Sequence, residues 1–262
     1  MQEELARANK AAWETKAYQA WVRQYGTPQE LAKDLKQKNK HYLRYWLKYI
    51  GDPAGKKIIN LLGSHGRKAI SLALLGADVT VVDISAENQS YALQVADAAG
   101  VTIDYICSDV LSIPNEEKLE AFDIVLMEFG ILHYFTDLSS IFSVASRRLR
   151  RGGRFILTDF HPFARTWMNT DNFKQPTGNY FDNKIKEEEV AFSKLLPEEE
   201  RNNLGKVLVR GWTLGEIISE IANASLFLRS FKEIPSPTDS RFPEFYTLIA
   251  DKIELPLSPL YP

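Results

Sequence analysis

KIINLLGSHGRKAISLALLGADVTVVD, residues 57–83, holds two apolar runs, Ile58 to Leu62 and Val79 to Val82. Between them lie a Gly63-Ser64-His65-Gly66 break and apolar residues at helical spacing, Ala69, Ile70, Ala73 and Leu74. The pattern is strand, tight turn, helix, strand, which is one βαβ unit. Parallel strands need such a crossover, and the amides at the start of its helix are free to meet the polar groups of a ligand. Asp83 ends the second run about 20 positions after the glycine turn, where a carboxylate can accept hydrogen bonds from the two ribose hydroxyls of an adenosine-containing cofactor.

Downstream the alternation continues. Ser85 reads as the N-cap of a helix from Ala86 to Ala99 stopped by Gly100, and the strand Thr102 to Cys107 leads to Ser108-Asp109-Val110. Asp109 can accept from an adenine amino group while Ile84 and Val110 flank the ring faces; the alternative is a loop carboxylate capping the Pro114-Asn115 turn. A fourth strand, Phe122 to Glu128, runs into the apolar loop Phe129 to Phe135, which carries His133 and Tyr134. A helix capped by Asp137 then reaches about Leu149, and Gly152-Gly153 precedes a fifth strand, Arg154 to Asp159. The arginines at 147, 148, 150, 151 and 154 complement a helix C-terminus, which makes a nucleic-acid role the weaker reading. The architecture expected is α/β, a doubly wound and mostly parallel sheet with its ligand beyond the carboxyl ends of the strands.

Upstream, Leu5 to Tyr25 reads as one helix with Trp13, Ala17, Ala20 and Trp21 on one side, and Pro28 starts a second that runs to about Tyr49. Tyr18 and Trp21 are the residues with which the first helix would roof the site. From Phe160 to Arg210 the pattern breaks into a stretch too long for a plain connection, expected to lie over the site as an insertion. Its aromatics, among them Phe163, Trp167, Phe173, Tyr180, Phe181 and Phe192, are candidates for a substrate pocket. Thr213 and Glu216 form a capping-box pattern, and Phe227 to Glu233 with Phe245 to Lys252 read as an antiparallel pair. The domain reading is a helical lid (1–55), a cofactor-binding α/β core (56–160), a cap insertion (161–211), and a helix with antiparallel strands that complete the core (212–262).

With 262 residues and 45% hydrophobic content the chain can bury a full core. The formal charge of −2 gives no global attraction to nucleic acid or anionic lipid, and no apolar run is long enough to span a bilayer. The single cysteine, Cys107, precludes an internal disulfide and fits a reducing compartment. Met1 to Lys16 is polar and mixed in charge, unlike a secretory signal, so a cytoplasmic location is expected.

The ordered set LLGSHG, VTVVDIS, ICSDVLSIP, FDIVLMEFGILHYF, LRRGGRFILTDFHPF and a terminal hairpin near FYTLIADK resembles the class I S-adenosylmethionine-dependent methyltransferases, in their small-molecule group. The resemblance covers roughly residues 56–159 and, more loosely, the C-terminal strands. It implies a Rossmann-like sheet of seven strands closed by a C-terminal antiparallel hairpin, with S-adenosylmethionine as cofactor. Contacts to that cofactor are implied for the glycine loop (Asn60, Gly63, Ser64, His65, Gly66), for Asp83 with Ile84, for Asp109 with Val110, and for Glu128 with Phe129. One departure stands out. The family has a carboxylate followed by Gly-x-Gly-x-Gly, and aligned on Gly66 this chain offers Asn60, Leu62 and Ser64 instead. His65 by itself reads most simply as an exposed side chain.

Methyl transfer from a sulfonium is an in-line displacement in which the protein mainly aligns donor and acceptor. A base is needed only where the acceptor must lose a proton, and His133 and His161, with Tyr134 as a positioning group, are the catalytic candidates. The expected partner is a small-molecule methyl acceptor for a monomer or homodimer, with no metal, nucleic acid or membrane involved. Two other readings stay open: a non-catalytic binding or interaction protein with a degenerate glycine loop, and an NAD-dependent oxidoreductase. The latter lacks the first glycine of G-x-G-x-x-G and leaves Asp109 unexplained.

Overall fold

The computed structural model describes residues 1–115, 119, 121–167 and 178–253. The 57–83 stretch forms β1 (Lys57–Leu61), α5 (Arg67–Ala73) and β2 (Asp78–Asp83), with β1 and β2 parallel. Next come α6 (Ala86–Ala99), β3 (Asp104–Cys107), β4 (Phe122–Glu128), α7 (Leu138–Arg148) and β5 (Leu149–Phe160). The Ser85 and Asp137 side chains accept from amides of their own helices, the caps their sequence positions predict. The short α8 (Ala164–Trp167) precedes a hairpin of β6 (Ile185–Glu189) and β7 (Lys206–Arg210), and α9 (Glu198–Arg201) lies in its connection. The chain then runs through α10 (Leu214–Asn223), with the Thr213–Glu216 capping box in place, to β8 (Leu226–Pro235) and β9 (Pro243–Lys252).

The main sheet has seven strands in the order β3-β2-β1-β4-β5-β9-β8. The first five are parallel; β9 is antiparallel to both β5 and β8. Side chains alternate between the two faces of a strand, so each face buries its own core. Ile58, Val79, Val81, Ile124, Leu126 and Ile249 pack with the N-terminal helices, α5 and α6. Ile59, Leu61, Val125, Met127, Phe155 and Leu248 pack with α7 and α10. The fifth strand starts five residues earlier than the glycine pair suggests, and the pairing between β4 and β5 shifts between Phe122 and Ile124.

The single helix expected over Leu5 to Tyr25 is two: α1 (Gln2–Trp13) and α2 (Ala17–Tyr25), broken at Lys16, which takes a left-handed conformation (φ 66°). No glycine or proline marks the break. Satisfaction comes from the tertiary structure: the Tyr18 amide donates to Glu87 of α6, and Lys16 pairs with Glu200 of α9. The next helix, α3 (Pro28–Tyr42), starts at Pro28 behind a Thr27–Glu30 capping box, but stops short of Tyr49, with α4 (Leu47–Ile50) completing the segment. The arginines at 150 and 154 pair with Asp123 and Asp251, and Arg148 donates to the Leu119 carbonyl, so these three serve the fold. Among the described residues, no helix is long and apolar enough to cross a membrane.

Candidate active site

A cavity of about 350 Å³ opens at the carboxyl ends of the parallel strands. Its floor comes from the β1–α5 turn (Leu62, Gly63, Ser64, His65), the ends of β2 and β3 (Asp83, Ile84; Ser108, Asp109, Val110) and the end of β4 (Glu128, Phe129). α1 closes it from above with Gln2, Ala6, Asn9 and Trp13, and Trp21 of α2 stands beside them.

The β1–α5 turn achieves its curvature with side chains where the usual motif has glycine: Leu62 (φ 53°) and Ser64 (φ 49°) are both left-handed. Gly63 must stay bare, because a Cβ there would sit 2.8 Å from Asn60 Oδ1 and from Val81 Cγ1. Gly66 begins α5 at φ 71°, and a Cβ on it would meet Ala92 of α6 at 2.9 Å; it serves helix packing and does not line the cavity. Asn60 is also absent from the lining. It is fully buried, donates to the Leu126 carbonyl (3.2 Å) and lies beneath Gly63. The expected contact from Asn60 is thereby corrected: its parity in β1 matches that of Ile58, which turns it toward the core under α5.

Asp83 reaches the cavity already engaged. Oδ2 accepts from the Ser64 amide (2.9 Å), and Oδ1 from the Ser85 amide and the Asn88 side chain (3.0 Å each). Burial raises its pKa, and these hydrogen bonds oppose the rise. Asp109 lines the cavity and accepts from Leu111 N (2.9 Å) in the turn that it begins itself, not in the Pro114-Asn115 turn of the alternative reading. Further along the strand ends, Glu128 Oε2 lies 3.1 Å from Lys68 Nζ, with the two side chains only 10% and 11% exposed. Burial pushes the Lys68 ammonium below its ordinary range and the neighbouring carboxylate pulls it part of the way back. Lys68 was invisible to motif reading: a lysine early in a helix after a glycine turn looks like a solvated residue until β4 is known to end beside it.

His65 is not the exposed side chain its loop suggests. Its ring lies against Trp21 (centroids 4.4 Å apart) and Tyr25 (5.0 Å), and its Nε2 is buried without a hydrogen-bond partner. Burial, with Arg67 and Lys68 nearby, holds its pKa well below the usual histidine range. The loop after β4 is pinned by Asp159, whose carboxylate accepts from the amides of Gly130 (2.6 Å), Leu132 (3.2 Å) and Ile131 (3.4 Å) and from Phe160 N (2.8 Å). That loop turns His133 toward the cavity, where burial and the Arg165 charge lower its pKa to about 3. Tyr134 accepts a hydrogen bond from Trp13 Nε1 (3.2 Å), and burial keeps its phenol protonated.

Besides Asn60 and Gly66, two more expected site residues lie elsewhere. His161 follows the end of β5 but turns to the antiparallel side of the sheet, with Nε2 3.1 Å from Glu233 of β8 and Nδ1 accepting from Phe163 N. Tyr18 faces α6, where its hydroxyl donates to Gln94 (2.9 Å) and its ring meets Tyr91. Once the helix breaks at Lys16, α1 supplies the roof in its place. From the insertion, Ala191 lines the cavity, while Phe192 packs on Trp13 and Trp21; Phe173 and the side chain of Trp167 lie outside the described residues.

The roof is bolted down by side chains that no motif announces. Asn9 donates to the Leu208 carbonyl (3.1 Å) and accepts from its amide (2.7 Å), acting as an added partner for β7. Gln2 donates to the Tyr134 carbonyl (3.2 Å) and accepts from the Thr136 amide (2.7 Å) and hydroxyl (2.9 Å). At the opposite side of the cavity, Phe129 and Phe160 are over a third exposed and join Phe245 and Trp46 in a set of edge and tilted ring contacts.

Residues 62–157 match a family model described as a methyltransferase domain. A curated relative, the ubiquinone biosynthesis O-methyltransferase of Pectobacterium atrosepticum, is 30% identical over 114 residues, which is 44% of this chain and 46% of that protein. The chain thus spans about half the length of the curated relatives it matches. Among solved structures, magnesium protoporphyrin IX methyltransferase of Synechocystis with bound S-adenosylhomocysteine superposes with a TM-score of 0.60 at 17% identity, covering 95% of this chain and 99% of that one. An S-adenosylmethionine-dependent methyltransferase of Mesorhizobium loti gives 0.60 at 19% identity, covering 83% and 99%. The strand order, the antiparallel β9 and the cavity at the carboxyl edge give the chain the fold of the class I S-adenosylmethionine-dependent methyltransferases, and residues 62–157 within it match a methyltransferase domain.

Proposed function

We propose that the protein transfers a methyl group from S-adenosylmethionine to a small-molecule acceptor. The observation that carries this is the sequence of groups along one edge of the sheet. Carboxylates and apolar faces suited to a nucleoside (Asp109, Val110, Asp83, Ile84) come first, then a charged pair (Lys68, Glu128), then an aromatic opening (Phe129, Phe160). The cavity volume falls in the roughly 300–1,000 Å³ range of small-ligand sites. The donor supplies an electrophilic methyl whose activating charge is its own.

The chain's residues then bind, orient and exclude water. Ile84 and Val110 flank the base, Asp83 and Asp109 offer their unused lone pairs, and α1 shuts the cavity over the nucleoside end. With a pKa near 3, His133 is neutral around pH 7 and a weak base, so it suits accepting a hydrogen bond from the acceptor better than removing a proton from it. Catalysis by alignment in a closed, apolar site is therefore the mechanism this geometry favours. The exposed rings of Phe129 and Phe160 favour an apolar or aromatic acceptor. The curated relatives are O-methyltransferases by name, but the family match ends at residue 157, before Phe160 and Ala191, so the acceptor is a matter for assay.

Calorimetric titration with S-adenosylmethionine, S-adenosylhomocysteine and NAD tests the donor. Binding of the first two and not NAD is expected; binding of NAD alone would indicate an oxidoreductase, and no binding a non-catalytic protein. Transfer of a labelled methyl group into a panel of phenolic, carboxylic and amine acceptors tests the reaction.

A further inference from the structure

The family's usual carboxylate is missing from this chain, and its replacement, Asn60, is sealed beneath Gly63. Some other group must hold the amino-acid end of the donor. Among the described residues the cavity contains one ion pair, Lys68–Glu128, at 3.1 Å with both partners about nine-tenths buried. A buried pair recovers little net stability over apolar side chains of the same volume, because both charges lose water. Within the described protein its geometry is also incomplete: Glu128 Oε2 has no well-formed hydrogen bond. Trp46 and Phe129 surround the Lys68 ammonium at 4.8 and 5.7 Å from their ring centres. Arg67, the neighbouring cation on the cavity wall, lies over Tyr25 and Tyr42, and its Nε is buried without a hydrogen-bond partner.

Position completes the argument. The strands run β3-β2-β1-β4, with Asp109 after β3, Asp83 ending β2, Lys68 in the helix that follows β1 and Glu128 ending β4. Neighbouring strands stand about 4.8 Å apart, so Glu128 lies roughly 10 Å along the edge from Asp83 and roughly 14 Å from Asp109. We propose that Lys68 takes the α-carboxylate and Glu128 the α-ammonium of the donor's amino-acid end, the zwitterion exchanging partners with the internal pair. This rests on the donor reading given above. It also explains why the pair is kept: ligand charges replace each partner without leaving a buried charge alone.

The test compares S-adenosylhomocysteine with 5′-methylthioadenosine, which has the same nucleoside and thioether but no amino-acid end. Lys68→Met and Glu128→Gln are each expected to weaken S-adenosylhomocysteine by roughly 10- to 100-fold, and to change methylthioadenosine by less than about threefold, since its contacts lie outside the pair. Lys68→Arg should restore most of the lost affinity. Should the single variants fail to fold, Lys68→Met combined with Glu128→Leu removes both charges and is read the same way. Equal losses for the two ligands, or none for either, overturn the assignment while leaving the donor reading in place. A wild-type protein that binds neither ligand overturns the donor reading and this inference with it.

Discussion

Replacing Asn9 by alanine should unfasten the roof of the cavity without harming the sheet. The amide of Asn9 makes two hydrogen bonds to the backbone of Leu208, at 2.7 and 3.1 Å, and is itself 5% exposed. Each such bond contributes about 1 kcal/mol net, so the pair contributes about 2 kcal/mol to the closed state. At 1.4 kcal/mol per factor of ten, the open population of α1 should rise roughly 30-fold. Gln2 and the Trp13–Tyr134 contact remain, so the helix should open more often without detaching. Hydrogen exchange followed by NMR reads this directly. Amides of α1 and of Leu208 should lose protection by about that factor, while Val81 and Leu126 in the central strands keep theirs. If α1 exchanges at the wild-type rate, Asn9 does not hold it. If Val81 and Leu126 accelerate equally, the contact supports the whole fold and the description of α1 as a separately opening cover is wrong.

Asp159→Asn sets an amide N–H₂ against backbone donors that now converge on a carboxylate, and should lower stability by about 3 kcal/mol in a urea titration; an unchanged midpoint would refute its role in pinning the loop that carries His133. Burial holds His133 near 3 against an ordinary 6.5, so between those values the unfolded chain carries a proton that the native chain lacks, and stability falls as pH is lowered through that window. Because His133 faces the cavity, the full slope is an upper bound, and His133→Asn should remove at most about 2 kcal/mol of the loss between pH 6.5 and 5; identical pH–stability profiles for mutant and wild type would refute this. Asn60→Asp, which restores the family's usual carboxylate, should cost about 3 kcal/mol or more by burying an uncompensated charge, with no gain in affinity for S-adenosylhomocysteine; tighter binding without loss of stability would show that position 60 does reach the ligand.

What the sequence disclosed and what it withheld differ in range. The βαβ unit, the Ser85 and Asp137 caps, the Thr213–Glu216 box and the C-terminal antiparallel pair are written in residues a few positions apart, and each is found where the spacing puts it. Asp83, Asp109, Glu128 and Phe129 were traceable because each ends a strand, and parallel strands end together. The break at Lys16 is held by Glu87 and Glu200, distant residues that no local rule anticipates. Gln2 and Asn9 are joined to partners 132 to 199 positions away and carry no motif of their own. Lys68 belongs with them, since its significance comes from β4. Asn60 is a different kind of miss: period-two alternation in β1 assigns it to the face of Ile58, and the motif alignment overrode that simpler signal.

β9 is hydrogen-bonded on both flanks, to β5 through residues 154–160 and to β8 through residues 226–235, although it is the last strand of the described chain to be synthesised. A nascent polypeptide halted before residue 243 therefore cannot finish the sheet, and it presents two raw edges at once, one of them bearing Phe155 and Leu157. Such edges recruit further strands. Premature termination before residue 243 should thus produce an aggregating species in place of a shortened, half-active protein, and the ribosome must release the chain through Lys252 before the sheet is safe from its neighbours.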